Sequence, residues 1–246
     1  MHILEDPSEL SARARDFLHR SGRRQRPSRF EVPIELWRAR DRHGVLVPAP
    51  MDLVVRCEGF ERRFGGLRYE VRRSLVVDGE RWERAYGWEY DHMGVDTRAW
   101  QDPGGEGWYF EWIGERVSKP CRDLLHTDGS VGTDVDGGSP YLRVAPSIPH
   151  LIESHALTDG VATWRPWPMG GAVARAVELL DGLREVPEAS WDSSRWRLSE
   201  TIAVRDYDSW HRERPSRHVC VWSRDETGHR QVRDALDSSS VPSAGR

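Results

Sequence analysis

Phe60-Glu61-Arg62-Arg63-Phe64-Gly65-Gly66-Leu67-Arg68-Tyr69-Glu70-Val71 carries a helix end, a chain reversal and a strand start in one short run. On its N-terminal side Leu53, Cys57, Phe60 and Phe64 recur at spacings of four, three and four, which places them on one face of a helix expected to run from Pro50 to Phe64. Gly65-Gly66 then ends the helix, because glycine alone accepts the left-handed backbone a tight exit needs. Beyond it Leu67, Tyr69 and Val71 alternate with Arg68, Glu70 and Arg72, the period of a half-buried strand. Phe60, Phe64 and Leu67 close the corner between the two.

Outward from this junction the reading continues in both directions. Asp6-Pro7-Ser8-Glu9 has the residues of a helix start, and Leu10, Ala14 and Phe17 carry that helix to about Arg20. Arg20 to Arg29 holds five arginines broken by Gly22 and Pro27 and is expected to be a solvated loop. A second helix is expected from Pro33 to His43, stopped by Gly44. On the other side Asp78-Gly79 makes a hairpin turn, Trp108, Phe110 and Trp112 alternate as a core-facing strand, and Thr127-Asp128-Gly129-Ser130 is a turn between short apolar runs around Leu124 and Val131. A helix from Ser147 to Leu157 closes the unit. After a Trp- and Pro-containing linker (163–171), a helix from Ala172 to Val186, strands over Thr201–Arg205 and His218–Trp222, and a helix from Gly228 to Leu236 form a smaller second part. The expected fold is α+β: N-terminal helices on a mostly antiparallel sheet over residues 1–160, an α/β extension over 161–236, and a Ser-rich disordered tail over 237–246.

Composition narrows the function classes. Acidic residues number 40 against 36 basic, for a net charge of -4, so a general nucleic-acid binder is disfavoured even though all basic residues but Lys119 are arginine. That arginine bias reads as the mark of a GC-rich, actinobacterial-type genome. The cysteines Cys57, Cys121 and Cys220 are three and far apart, which suits neither a disulfide framework nor a metal clip. No signal-peptide pattern opens the chain and no apolar run approaches a membrane span, so a cytoplasmic protein without a membrane role is expected.

Groups that could carry chemistry are sparse. The phosphate-binding, nucleophile-elbow and zinc-protease motifs are absent from the sequence. His92 beside Asp91, with Asp96 nearby, and His126 with Asp128 are the pairs on which an enzyme of hydrolase type would rest. The plainer reading assigns Asp128 and Gly129 to the turn. No catalytic residue, metal ligand or cofactor is therefore expected.

Charge is distributed unevenly. Residues 87–138 hold eleven acidic and four basic side chains, a net charge of -7, together with Trp88 and Trp100. Such a surface suits capture of a basic protein partner, and Asp91, Asp96, Glu106, Glu111, Trp88 and Trp100 are its candidate contact residues.

The order of these features resembles the SUKH superfamily over about Ser11 to Leu157. The residues that carry the resemblance are the Phe64-Gly65-Gly66-Leu67 junction; Ser21-Gly22-Arg23, Ile34–His43, Gly44 and Val47-Pro48 upstream; and Ile113-Gly114, Leu125–Val131 and Ile148–Leu157 downstream. Arg23 departs from it, since the family often has tryptophan after that glycine. The resemblance implies a helix-and-antiparallel-sheet fold and a non-enzymatic binding domain of the immunity or antitoxin type, whose partner would be a toxin domain such as a nuclease or deaminase. A regulatory or phage-defence accessory module is the further alternative. Gly65, Gly66, Phe60, Phe64, Asp128 and Gly129 are structural residues on this reading.

Overall fold

A computed structural model describes residues 1–25, 33–93, 98–104, 106–117, 121–134, 141–208 and 217–240. The fold is α+β, and the chain divides into two compact units: Met1–Val71 with Tyr86–Glu153, and Arg72–Ala85 with Ser154–Arg246. The second unit thus takes in a hairpin tip from within the first 160 residues.

The elements of the first unit are α1 (Ala12–Ser21), β1 (Arg23–Arg24), β2 (Arg38–Arg40), β3 (Leu46–Pro48), α2 (Met51–Phe64), β4 (Leu67–Val77), β5 (Glu80–His92), β6 (Ala99–Gln101), β7 (Trp108–Glu115), β8 (Arg122–His126), β9 (Val131–Asp134), β10 (Leu142–Ala145) and α3 (Ile148–Val161). The tips of β4 and β5 and the second half of α3 belong to the second unit. The strands form one sheet in the order β1-β4-β5-β7-β6-β2-β3, with β8, β9 and β10 branching from β7. All registered pairings in it are antiparallel except β2 with β6, which run parallel through Arg40 and Trp100.

The junction from Phe60 to Val71 forms as its sequence dictates. Gly65 N–H donates to the Glu61 carbonyl at the end of α2, and Gly66 follows at φ 78°. Phe60 packs edge-on against Phe110 and Trp112 at 5.6 and 6.0 Å, and Leu67, Tyr69 and Val71 are buried. Where the sequence suggests a second helix, Pro33–His43, the chain makes a single 3-10 turn (Ile34–Leu36) and then the strands β2 and β3. Trp37 and Ala39 are buried while Arg38 and Arg40 are not, a two-residue period that pairing with β3 and β6 satisfies and a helix would not. α1 starts later than the Asp6-Pro7 signal suggests: Ser11 caps it, its Oγ accepting from Ala14 N–H, and the buried Glu153 carboxylate receives the Ser11 N–H, the Ser11 hydroxyl and Arg13.

The second unit adds β11 (Arg165–Pro166), α4 (Gly171–Val177), β12 (Arg184–Glu185), β13 (Ser194–Leu198), β14 (Ile202–Asp208), β15 (Arg217–Ser223) and α5 (Glu226–Ser240). Its sheet is antiparallel in the order β11-β15-β14-β13-β12. Alternation gives the sheet two apolar faces. Ile202, Val204, Val219 and Val221 meet α4 and α5 through Val173, Val177 and Val232, whereas Ala203, Cys220, Trp222 and Trp196 meet Leu157 and Val161 of α3. α4 ends at Val177, well short of the expected Val186. α5 runs past the expected Leu236 into the serines: Ser238 and Ser239 bond back to the carbonyls of Asp234 and Leu236, so residues 237–240 are helical rather than a disordered tail. Residues 241–246 of that tail lie outside the described residues.

Candidate functional site

Four carboxylates of the acidic stretch are paired with arginines of the same unit, Asp91 with Arg68 among them. Glu89 pairs with Arg68 and Arg116 at 2.8 and 3.0 Å, Glu111 with Arg98 at 3.0 Å, and Asp134 with Arg122. Asp91 is buried: it accepts from Gly66 N–H at 3.0 Å and from Arg68 at 2.6 Å. Trp88 is 6% exposed and packs on Trp112. A surface built on Asp91 and Trp88 is therefore not what this structure presents; both belong to the interior, and Glu111 lies midway along β7 within an ion pair. Asp96, the remaining acidic candidate in that run, lies outside the described residues.

The histidine pairs do not assemble an active site. Asp91 and His92 are successive strand residues and point to opposite faces, Asp91 to Arg68 and the His92 ring to Trp37 and Phe110. His126 is buried, with Nδ1 3.0 Å from Asp128 and Nε2 3.7 Å from Asp102. Above Nε2 sits Gly107, where an added Cβ would fall 2.9 Å from that nitrogen, so backbone occupies the space a substrate would need. The imidazole is a strut beneath two turns. Among the described residues no three His, Cys, Asp or Glu side chains are grouped to hold a metal ion.

What the fold gathers instead is one end of the first sheet. Because β2 runs parallel to β6, and β6 and β8 both run antiparallel to β7, the turns 41–45, 102–107 and 127–130 all leave the sheet at that end. They are tied to one another. Arg42 N–H donates to Gln101 Oε1 at 3.1 Å, Thr127 N–H to the Trp108 carbonyl at 2.8 Å, and Arg56 of α2 holds the Thr127 carbonyl at 2.7 and 2.9 Å.

The rim so formed carries Asp102, Glu106 and Asp128 together with Val45 and Leu46, which are 57% and 46% exposed. Burial works against the charge of Asp128, but the Ser130 hydroxyl and N–H, together with His126, outweigh it and hold the carboxyl below its usual range. Arg40, which donates to the Gly44 carbonyl at 3.1 Å, Arg42 and Arg56 are cations of the turns that form this rim. Below it a ladder of rings stiffens the turns: Arg122 lies 4.4 Å over Trp100, Trp100 stacks on Tyr109, and Tyr109 on Tyr141.

Of the candidates read from sequence, Trp100 and Glu106 thus come together here, with Asp128 and Gly129 shaping the adjacent turn. Val45 and Leu46 lie just beyond the helix that the sequence suggests over Pro33–His43, and no motif marks them as a surface. Asp102 entered only as part of a sum, although Asp102-Pro103-Gly104 is itself a turn signal.

No protein-family model matches the chain, and no curated protein or solved structure was found to match it.

Proposed function

We propose that this chain is a protein-binding module of the inhibitor or immunity type, and that its docking surface is the acidic rim of the first unit. The observation that carries the reading is the gathering of three turns, which sets the carboxylates of Asp102, Glu106 and Asp128 at the same end of the sheet as the exposed Val45 and Leu46. Such a surface fits a basic partner domain presenting an apolar side chain: the charges steer the encounter, and burial of Val45 and Leu46 holds the complex. Among the described residues β3 is the last strand in the sheet order, so its outer edge can take an extended segment of that partner. The resemblance to SUKH proteins supports the same reading and suggests a toxin domain as the partner.

The test compares the wild-type chain with Val45→Ser/Leu46→Ser/Glu106→Lys as baits in a pull-down from the native cytoplasm, at low and at high salt. All three positions are exposed, so the variant is expected to keep the wild-type circular dichroism. Capture of a basic protein by the wild type, weakened by high salt and reduced about tenfold or more in the variant, is the expected result. Equal capture of the same proteins by both baits removes the rim from the reading.

A further inference from the structure

His126 meets a donor and an acceptor at the same nitrogen. Its Nδ1 accepts from Asp128 N–H at 3.2 Å, and it also lies 3.0 Å from Asp128 Oδ1, which as a carboxylate oxygen can only accept. A bare Nδ1 satisfies the first contact and a protonated one the second, so a single ring position serves two charge states. The other nitrogen extends this to a second turn. Nε2 is buried without a hydrogen bond, and Asp102 Oδ2 stands 3.7 Å away, too far for the neutral ring to bond but within ion-pairing distance of an imidazolium.

The ring is held in that place. Gly107 closes over it, where an added Cβ would fall 2.8 Å from Cε1, and Tyr141 lies against it with ring centroids 5.3 Å apart. Tyr109 stands across from it on β7. Burial pushes the Tyr109 and Tyr141 phenols up, so both stay neutral. The cations on this side are engaged elsewhere or act at one remove: Arg56 of α2 holds the Thr127 carbonyl, Arg122 pairs with Asp134, and Arg143 of β10 bears on Tyr141. Among the described residues the carboxylates within ion-pairing distance of the imidazole are thus Asp102 and Asp128, one from each turn.

We propose that His126 is a pH-sensitive clasp that sets the charge of the rim. With the ring neutral, Nδ1 holds the Asp128 N–H and the carboxylates of Asp102, Glu106 and Asp128 keep their full charge. When the ring takes a proton from solvent, Nδ1–H turns to Asp128 Oδ1 and Nε2–H faces Asp102, so the turns 102–107 and 127–130 share one cation and one negative charge of the rim is cancelled. Capture of a basic partner should therefore weaken as the pH falls, by about threefold at low salt. This consequence for binding rests on the docking role proposed above for the rim; the clasp itself does not.

The test follows the ring nitrogens of His126 and the amide of Asp128 together, in proton–nitrogen NMR spectra of the full chain from about pH 8 down to about pH 5. Both are expected to move in one step, because Asp128 N–H loses its acceptor as the ring gains charge. His126→Asn, whose carboxamide oxygen keeps an acceptor near the place of Nδ1 and takes no proton, should remove that step from the Asp128 amide. The wild-type spectra decide even where the variant fails to fold, since the ring nitrogens report the protonation state directly. A ring that stays in one state across the range, or an Asp128 amide that does not follow it, overturns the clasp. Pull-downs with the wild-type bait at the two ends of the range then read the rim: weaker capture of the same basic protein at the acid end is expected, and equal capture at both overturns control of the rim by His126. A bait that captures nothing at either pH counts against the docking reading, and the spectra still decide the clasp.

Discussion

Gly66→Ala is expected to cost the first unit about 3–5 kcal/mol, the sum of a side chain forced into positive φ and an overpacked contact. Gly66 sits at φ 78°, and a Cβ there would lie 2.0 Å from the backbone oxygen of Gln25. The neighbour cannot retreat cheaply, because Gln25 N–H is bonded to the Gly66 carbonyl at 2.8 Å and Gly66 N–H to the Tyr90 carbonyl at 3.0 Å. Gly44→Ala is the control. It has the same φ of 78° but nothing within 4 Å of its added Cβ, so about 1 kcal/mol is expected from backbone strain alone. Urea denaturation of the two variants measures the difference as a shift in midpoint at constant slope. Equal midpoints would show that the clash at Gln25 relaxes freely, and that the junction tolerates a side chain.

That junction was legible in the sequence because every cue in it is local. The apolar stripe of α2, the two glycines and the alternation of β4 lie within twenty residues and agree with one another. Pro33–His43 reads as helix because its glutamate, leucine and arginines favour helix weakly, while its strand partner in β6 lies sixty residues away. In the second unit Ser194, Trp196 and Leu198 alternate with Arg195 and Arg197 as a strand should, yet no turn residues bracket them strongly enough to announce β13.

The candidate site was less legible than the fold for a related reason. A sum of charges along residues 87–138 takes no account of which arginine stands across the sheet. Arg68 comes from outside the stretch, and Arg98, Arg116 and Arg122 come from within it, but each meets its carboxylate only through pairing of strands. Which carboxylates reach the rim is decided by topology, which brings turns from three hairpins to one end.

The interior ion pair supplies the sharpest contrast between the charge sum and the folded chain. Asp91→Ala is expected to destabilise the first unit by about 3–5 kcal/mol, because it leaves Arg68, itself 13% exposed, partly uncompensated in the protein and removes an acceptor from Gly66 N–H. The double change Asp91→Leu/Arg68→Met should recover much of that loss: it buries neither charge, and Glu89 keeps Arg116. A purely superficial Asp91 predicts the reverse pattern, with unchanged urea midpoints in both variants and weaker capture of a basic partner. Measuring the two variants alongside the rim variant Val45→Ser/Leu46→Ser/Glu106→Lys therefore separates two roles that carboxylates of one short stretch have taken. If Asp91→Ala leaves the midpoint in place, the interior assignment fails. A large loss of stability, largely restored by removing Arg68 as well, makes Asp91 part of the scaffold on which the rim is displayed.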